Sequence, residues 1–252
     1  MSKIEETIQK LHQASYYENA SESDQARKEN FPAYLTEVLS QKDLISLPIL
    51  DVFQPNDNDL VNVLNKRRSV RHYDTQASMT LEELTYLLKF TQGVRELSEK
   101  RGITFRYVPS AGSRHPFETF LLVQRVESLQ PGIYHFVAHQ NALELVSSDP
   151  QVIESAHIST LKQRQVITSA VTFFWSAEVY RTSWRYGERA YRYINLDAGH
   201  VCQNLYLCAE SIDYGVCAIA AFDDRLANQL FGLDDQSHFI AYIASVGKKL
   251  DS

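Results

Sequence analysis

Apolar residues along the chain follow two rhythms, one recurring every three to four positions and one alternating or running together. Residues 1–46 follow the first and read as two or three short amphipathic helices with polar joints, ending at Leu47-Pro48. The segment 51–60 is a polar loop, and Asp57 or Asp59 stands where it can cap a helix over about 59–67. A second helix opens at Thr80 and Glu83, a capping-box spacing, and carries Leu81, Leu84, Leu87 and Leu88 on one face. Strand signals follow at 105–108 and 118–126, then at 133–137 and 143–147 as a hairpin pair, and most strongly at 171–180. A long helical stretch over 187–213 is apolar around much of its circumference, with Leu196, Gly199, His200, Gln203, Leu207 and Glu210 on a mixed face. Strands over 216–222 and 239–246 close the chain around one more short helix. Strands separated by helices without regular alternation predict an α+β fold. No repeat and no Pro-, Gly- or Ser-rich linker divides the chain, so a helical extension over 1–46 precedes one domain over 47–252.

Composition narrows the class. A chain of 252 residues buries a core without staples, and its three cysteines, Cys202, Cys208 and Cys217, are spaced for neither a disulfide framework nor a zinc knuckle. The start, MSKIEETIQK, lacks a signal-peptide apolar stretch, and no run of about 18 apolar residues is present. These features predict a reduced, cytoplasmic chain with no membrane partner. The net charge is −6, and its acidic excess lies within residues 1–60, which hold 5 basic and 11 acidic side chains. An acidic chain with no basic face is a poor nucleic-acid binder. One dense basic cluster, Lys66, Arg67, Arg68 and Arg71, stands out against that background.

Four segments carry chemistry. Arg67-Arg68-Ser69-Val70-Arg71 can surround a phosphate with charge-assisted hydrogen bonds, or form a solvated basic turn. Pro109 to Pro116 brackets Ser110, Ala111, Gly112 and Ser113 between prolines, a rigid loop whose backbone can approach a flat ligand. His115 in that loop reads as a hydrogen-bonding residue ahead of a catalytic base. The run 184–193 interleaves aromatics and arginines. At helical spacing Arg185, Arg189 and Arg192 form a stripe facing Glu188, and for Arg189 and Arg192 a structural role is favoured. Finally, Ala220-Ala221 at a strand end exposes backbone N–H groups to a ligand edge. His200-x-Cys202 reads as a buried helix face, not a metal site. The chain has no P-loop, dinucleotide fingerprint, nucleophile elbow or zinc-protease motif.

In order, RRSVR at 67–71, PSAGSRHP at 109–116, PGIYHF at 131–136, YGERAYRY at 186–193, DAGHVCQNLYL at 197–207 and AAFDD at 220–224 resemble the nitroreductase-like FMN flavoproteins. Within that superfamily the resemblance is to the SagB-type dehydrogenase (azoline oxidase-like) branch, over about residues 47–249. It implies a mostly antiparallel sheet flanked by helices, and a homodimer with FMN at its interface. Arg67, Ser69 and Arg71 then match the phosphate segment, and Lys248 a further phosphate contact. Ser110, Ala111, Gly112 and Ser113 match the segment along the flavin ring, and Ala220 and Ala221 the pair facing its N5 edge.

Azoline-oxidising relatives carry a Lys-Tyr pair where this chain has Arg185-Tyr186. A guanidinium does not serve as a general base, which leaves Tyr186 as the acid/base and Arg185 as a holder of an anionic substrate group. Two roles stay open. One is an FMN-dependent oxidoreductase acting on a small-molecule or peptide substrate, with a transient nicotinamide donor. The other is a non-catalytic flavin-binding or scaffold subunit of a peptide-modifying complex.

Overall fold

The computed structural model describes residues 2–38 and 40–250; Met1, Leu39 and the last two residues of the expected 47–252 domain lie outside the description. The first half of the chain holds α1 (Lys3–Ala14), β1 (Leu44–Ser46), α2 (Leu60–Lys66), α3 (Leu81–Gln92), β2 (Val94–Ser98), β3 (Ile103–Arg106) and β4 (Phe117–Val123). Then come β5 (Gly132–Val137), β6 (Ala142–Ser147), α4 (Gln151–Ser159), α5 (Arg164–Thr168) and β7 (Val171–Glu178). The chain continues through α6 (Val179–Tyr186), α7 (Ala190–Ser211), β8 (Tyr214–Ile219), α8 (Asp224–Leu230) and β9 (His238–Lys248). Seven strands form one sheet in the order β1-β6-β5-β4-β7-β9-β8, and all its pairings are antiparallel. β2 and β3 form a separate hairpin. The α+β class and the helix-flanked antiparallel sheet are as the sequence predicts.

The run VTFFWSAE explains why β7 lies inside the sheet: a strand covered on both faces is apolar on both. Its side chains alternate between two cores. Phe173 and Trp175 pack with Leu84, Leu87 and Leu88 of α3 and with Ile194, Val201 and Leu205 of α7. Phe174 points the other way, toward Ala156, Val166 and Ala227 from α4, α5 and α8. Helices therefore cover both faces of the sheet. Among the described residues no helix is long and apolar enough to cross a membrane.

Local signals place several elements where expected. Asp59 caps α2 by accepting from the Val61 and Asn62 amides, and Thr80 with Glu83 forms the capping box of α3. Other expectations fail for identifiable reasons. The helix expected over 187–213 is α7, which starts three residues later and stops two earlier; Gly187, with a φ of +52°, ends α6 and separates it from α7. That break removes the Arg185/Arg189/Arg192 stripe. Glu188 instead accepts from the Ser21 amide and hydroxyl, while Arg189 donates to the Ser15 carbonyl and Arg192 contacts His12. Among its described residues the N-terminal segment holds one α-helix rather than two or three, and those between 20 and 40 run without helix. α4, α5, β1 and β2 carry no strong period and were not foreseen from the pattern. His200 is half-exposed whereas Cys202 is buried, so the two do not share one buried face.

A buried ionic cluster sits at one end of β4. Glu118 accepts from Thr36 at 2.7 Å, lies 2.6 Å from Arg181 Nη1 and 3.0 Å from His135 Nε2. Arg181 also meets Glu178 at 2.5 Å and donates through Nε to the Ala33 carbonyl at 3.0 Å. Burial alone raises the Glu118 pKa, but Arg181, the His135 hydrogen bond and charge, and Arg106 outweigh it and hold the carboxyl well below the ordinary range. A carboxylate depressed in the folded state stabilises fully above its unfolded value of about 4.3, and the contribution is lost as pH falls below that. Glu118→Gln should lower the unfolding free energy by about 3–5 kcal/mol, the cost of breaking a buried pair. Thermal unfolding against pH should show the wild-type midpoint falling steeply below pH ~4 and converging on the variant's. A constant gap between the two curves down to acid pH would contradict this role for Glu118.

Candidate active site

The basic segment after α2 lies along the sheet edge. Ser69 bridges Val216 of β8 in parallel register, and the Val70 amide donates to the Val216 carbonyl at 2.9 Å. Farther on, Tyr73 bridges Lys249 and the Asp74 amide donates to the Lys248 carbonyl. Two glycines make this approach feasible. Gly215 and Gly247 are cross-strand partners, and a Cβ on either would lie 2.5 Å from Val70 or from the Tyr73 ring. Val70 and Tyr73 thus rest on bare backbone, which leaves Ser69 and Arg71 exposed and Arg67 half-buried.

Tyr206 of α7 ties this segment to the interior. Its hydroxyl is 3.1 Å from Ser69 Oγ and accepts from the Ala218 amide at 2.9 Å, and the Arg67 guanidinium lies 5.4 Å from its ring centre. The Lys248 ammonium lies over the Tyr214 ring. Neighbouring lysines are paired, Lys66 with Asp57 and Lys249 with Glu210. Arg67, Arg71 and Lys248 meet no carboxylate among the described residues, so the edge carries uncompensated positive charge beside a serine hydroxyl. That donor set suits a phosphate dianion.

The proline-bracketed loop is shaped from within and from α7. Gly112, Ser113 and His115 all take positive φ, at +58°, +53° and +44°. Asp197 of α7, 3% exposed, accepts from Ser110 Oγ at 2.5 Å and from the Ala111 amide at 3.2 Å. Burial raises the Asp197 pKa, against the lowering from Ser110, Ala111 and His200. Ser110 Oγ in turn accepts from the His115 amide. His115 itself is buried, and burial together with Arg106, Arg114 and Arg181 pushes its pKa down to about 2. It stays neutral and structural.

Arg185 and Tyr186 end α6 against this loop. A Cβ on Gly112 would lie 2.6 Å from the Tyr186 hydroxyl and 3.0 Å from Arg185 Cδ, so glycine is what lets the phenol sit at the loop backbone. Tyr193 of α7 backs the Tyr186 ring at 4.6 Å between centroids. Ala220 and Ala221 are exposed between β8 and α8, and Gln163 donates to the Ala221 carbonyl. No hydrogen bond or ion pair among the described residues joins the 67–71 group to the 110–113 loop; α7 links them. Asp197 and Tyr206, which do the linking, were visible only as letters of a motif. A lone acid within the apolar run of a helix was the available signal. No metal-holding group of His, Cys, Asp or Glu is present among the described residues.

Residues 64–248 match the model of the nitroreductase family. The chain belongs to the nitroreductase family. A Methanocaldococcus jannaschii protein described as a nitroreductase is 31% identical over 192 residues, which are 76% of this chain and 92% of that protein. A trifolitoxin-processing protein of Rhizobium leguminosarum bv. trifolii is 27% identical over 132 residues, half of this chain and 35% of that one. Among solved structures, the E. coli microcin synthetase McbBCD complex, with truncated pro-MccB17 bound, shares the fold at a TM-score of 0.60 and 18% identity. That match covers all of this chain and 95% of the other. A nitroreductase from Exiguobacterium sibiricum in complex with FMN shares it at a TM-score of 0.56 and 16% identity, over 78% of this chain and 90% of that one. Nitroreductase-family proteins are FMN-dependent, and their fold is typically dimeric.

Asp197 is a testable anchor of the loop in this nitroreductase-family protein. Asp197→Ala removes a buried acceptor of two donors and should lower the unfolding free energy by about 1.5–3 kcal/mol, the value of hydrogen bonds to a charged group. Urea unfolding measures this, and limited proteolysis should show new cleavage within 109–116. An unchanged midpoint with an intact loop would remove Asp197 as its anchor.

Proposed function

We propose that this nitroreductase-family chain is an FMN-dependent oxidoreductase of the SagB-type, azoline oxidase-like branch, working as a homodimer on an azoline-type or other small or peptide-borne substrate. The observation that carries the reading is the strip of unpaired cations along β8, tied through α7 to the loop beside Tyr186. In this reading Arg67, Ser69, Arg71 and Lys248 hold the FMN phosphate. Ser110, Ala111, Gly112 and Ser113 lie along the ring, and Ala220 and Ala221 offer backbone to its reactive edge. FMN, when bound, supplies a two-electron acceptor for a hydride.

The protein's own side chains do the rest. Oxidising a saturated carbon requires a proton to leave with the hydride, and the Tyr186 hydroxyl relays it, accepting that proton on oxygen while passing its own to solvent. Arg185 keeps its charge and holds an anionic part of the substrate. For reductive turnover of a small acceptor instead, a nicotinamide donor, with no dinucleotide fingerprint to hold it, binds only transiently. Exposed Leu60, Val61 and Leu64 on α2, with Tyr191 and Leu196 on α7, supply apolar surface for a second copy. Likeness to a trifolitoxin-processing protein supports a peptide-borne substrate, and residues 1–46 are an extension outside the matched region. A second reading, a non-catalytic flavin-binding or scaffold subunit, rests on Arg185 standing where azoline-oxidising relatives carry lysine.

The purified protein should be yellow, release FMN rather than FAD on denaturation, and scatter light as two copies of a 28.9 kDa chain. Arg71→Ala should weaken FMN binding by about 1.5–3 kcal/mol, or roughly 10- to 100-fold. Release of FAD, or unchanged FMN affinity in that variant, overturns the phosphate assignment.

Tyr186→Phe should retain FMN while slowing turnover about 10²-fold or more, the worth of a general acid/base. Flavin reduction by candidate azoline substrates in single turnover decides the matter. Equal rates in wild type and variant would take Tyr186 out of the chemistry, and absence of reduction by any substrate would favour the scaffold reading.

A further inference from the structure

A cavity of about 550 Å³ opens beside the loop that carries Gly112 and Ser113. Its walls come from four places: Gln25 and Phe31 of the N-terminal segment, the β2–β3 hairpin, the loop itself, and the end of α6. The charge of those walls is one-sided. Lys100, Arg101, Arg114 and Arg185 line the cavity, and no Asp or Glu does. None of the four forms an ion pair among the described residues, although Arg181 close by is paired twice.

Arg114 is the telling member. It is 3% exposed, its Nε donates to the Arg181 carbonyl at 2.8 Å, and its guanidinium lies 4.9 Å from the Trp184 ring centre. Its buried Nη2 has no hydrogen-bond partner. Burial lowers its pKa first, and the like charges of Arg185 and Arg181 lower it further. A buried cation crowded by cations, with a donor unused, is costly unless an anion completes the set. Among the walls, Phe31, Ile103, Phe105 and Trp184 are apolar, so the cavity offers a greasy body and a positive field together.

We propose that this cavity is the substrate-recognition site and that it selects a carboxylate carried on an apolar body. The carboxylate meets Lys100, Arg101 and Arg185, with Arg114 supplying fixed charge behind them, and the apolar body rests on Phe31 and Phe105. The substrate then reaches the Gly112 edge where the Tyr186 hydroxyl sits. This inference rests on the oxidoreductase reading for what happens at that edge, but not for the binding itself. It also gives the N-terminal segment, outside the matched family region, a part in specificity, since Gln25 and Phe31 wall the cavity.

The test uses the full-length protein as purified, with flavin content read by absorption. Two probes, para-nitrobenzoate and para-nitrobenzamide, share a ring and a nitro group and differ in charge. Calorimetric titration should show the carboxylate binding about 10-fold or more tighter than the amide, with the preference shrinking as salt is raised. The double variant Lys100→Ala/Arg101→Ala alters two exposed side chains and should cut the preference severalfold, with Arg185 and Arg114 supplying what remains, while leaving flavin content unchanged. Lys100→Arg/Arg101→Lys should restore it. A short apolar peptide with one glutamate, compared with its glutamine twin and with the free acid, tells whether the carboxylate comes from a peptide or a small molecule. Equal affinity for the two nitro probes, no binding of either, or a preference untouched by the double variant overturns the proposal. Absence of any preference in the wild-type protein with FMN retained sinks the anion site alone. A carboxylate preference in protein devoid of flavin upholds the site and sinks the cofactor reading.

Discussion

Two polar side chains nine residues apart on α7 set the geometry on which the candidate site depends. Asp197 holds the Ser110–Ala111 end of the loop, and Tyr206 holds Ser69 and the Ala218 amide. At 1.5 Å rise per residue the two anchors stand about 13 Å apart, the scale of a mononucleotide laid out at length. α7 is itself fixed by burial, since Ile194, Val201 and Leu205 pack onto the sheet that Phe173 and Trp175 build. The spacing between the 67–71 cluster and the 110–113 loop is therefore inherited from one rigid helix, not from two independently flexible loops.

Charge in this protein is sorted by pairing more than by position in the chain. Lys66, Lys249 and Arg181 each have a carboxylate partner and contribute to holding the fold. Arg67, Arg71 and Lys248 at the β8 edge, and Lys100, Arg101, Arg114 and Arg185 around the neighbouring cavity, have none among the described residues. Both unpaired sets adjoin segments that α7 or α6 positions. In a chain whose net charge is −6, keeping two groups of cations free of nearby carboxylates concentrates positive field at those two places.

The N-terminal segment is fastened along α6 by specific hydrogen bonds. The Gln25 amide donates to the Trp184 carbonyl, Trp184 Nε1 donates to Glu29, Tyr180 donates to Asp24, and Arg181 donates to Ala33. Glu188 and Arg189 add contacts to Ser21 and Ser15 just past the helix end. α6 is short and exposes Arg185, and these contacts fix where its last turn lies against Gly112. The segment thus supports the same helix end that carries Arg185 and Tyr186.

Local chemistry made some of this legible from sequence and left the rest to packing. The Asp59 cap, the Thr80/Glu83 capping box and the all-apolar β7 depend on residues near one another in sequence, so their elements lie where the pattern puts them, β7 ending two residues short of the expected stretch. The clustering of Arg67, Ser69 and Arg71 is likewise a local fact, and the motifs that carried the family resemblance are local strings. What the sequence did not contain is any contact between distant segments. The break at Gly187 came from a backbone conformation that an apolar period cannot reveal, and it sets Arg185 and Tyr186 on α6, apart from Arg189 and Arg192. The bonds from Asp197 to Ser110 and from Glu118 to Arg181 join residues 87 and 63 positions apart, and Arg114 Nη2 stays unpartnered only because no acceptor among the described residues reaches it. Propensity and capping act within a turn or two, whereas burial and charge pairing are decided by which surfaces meet, and only the tertiary structure fixes that.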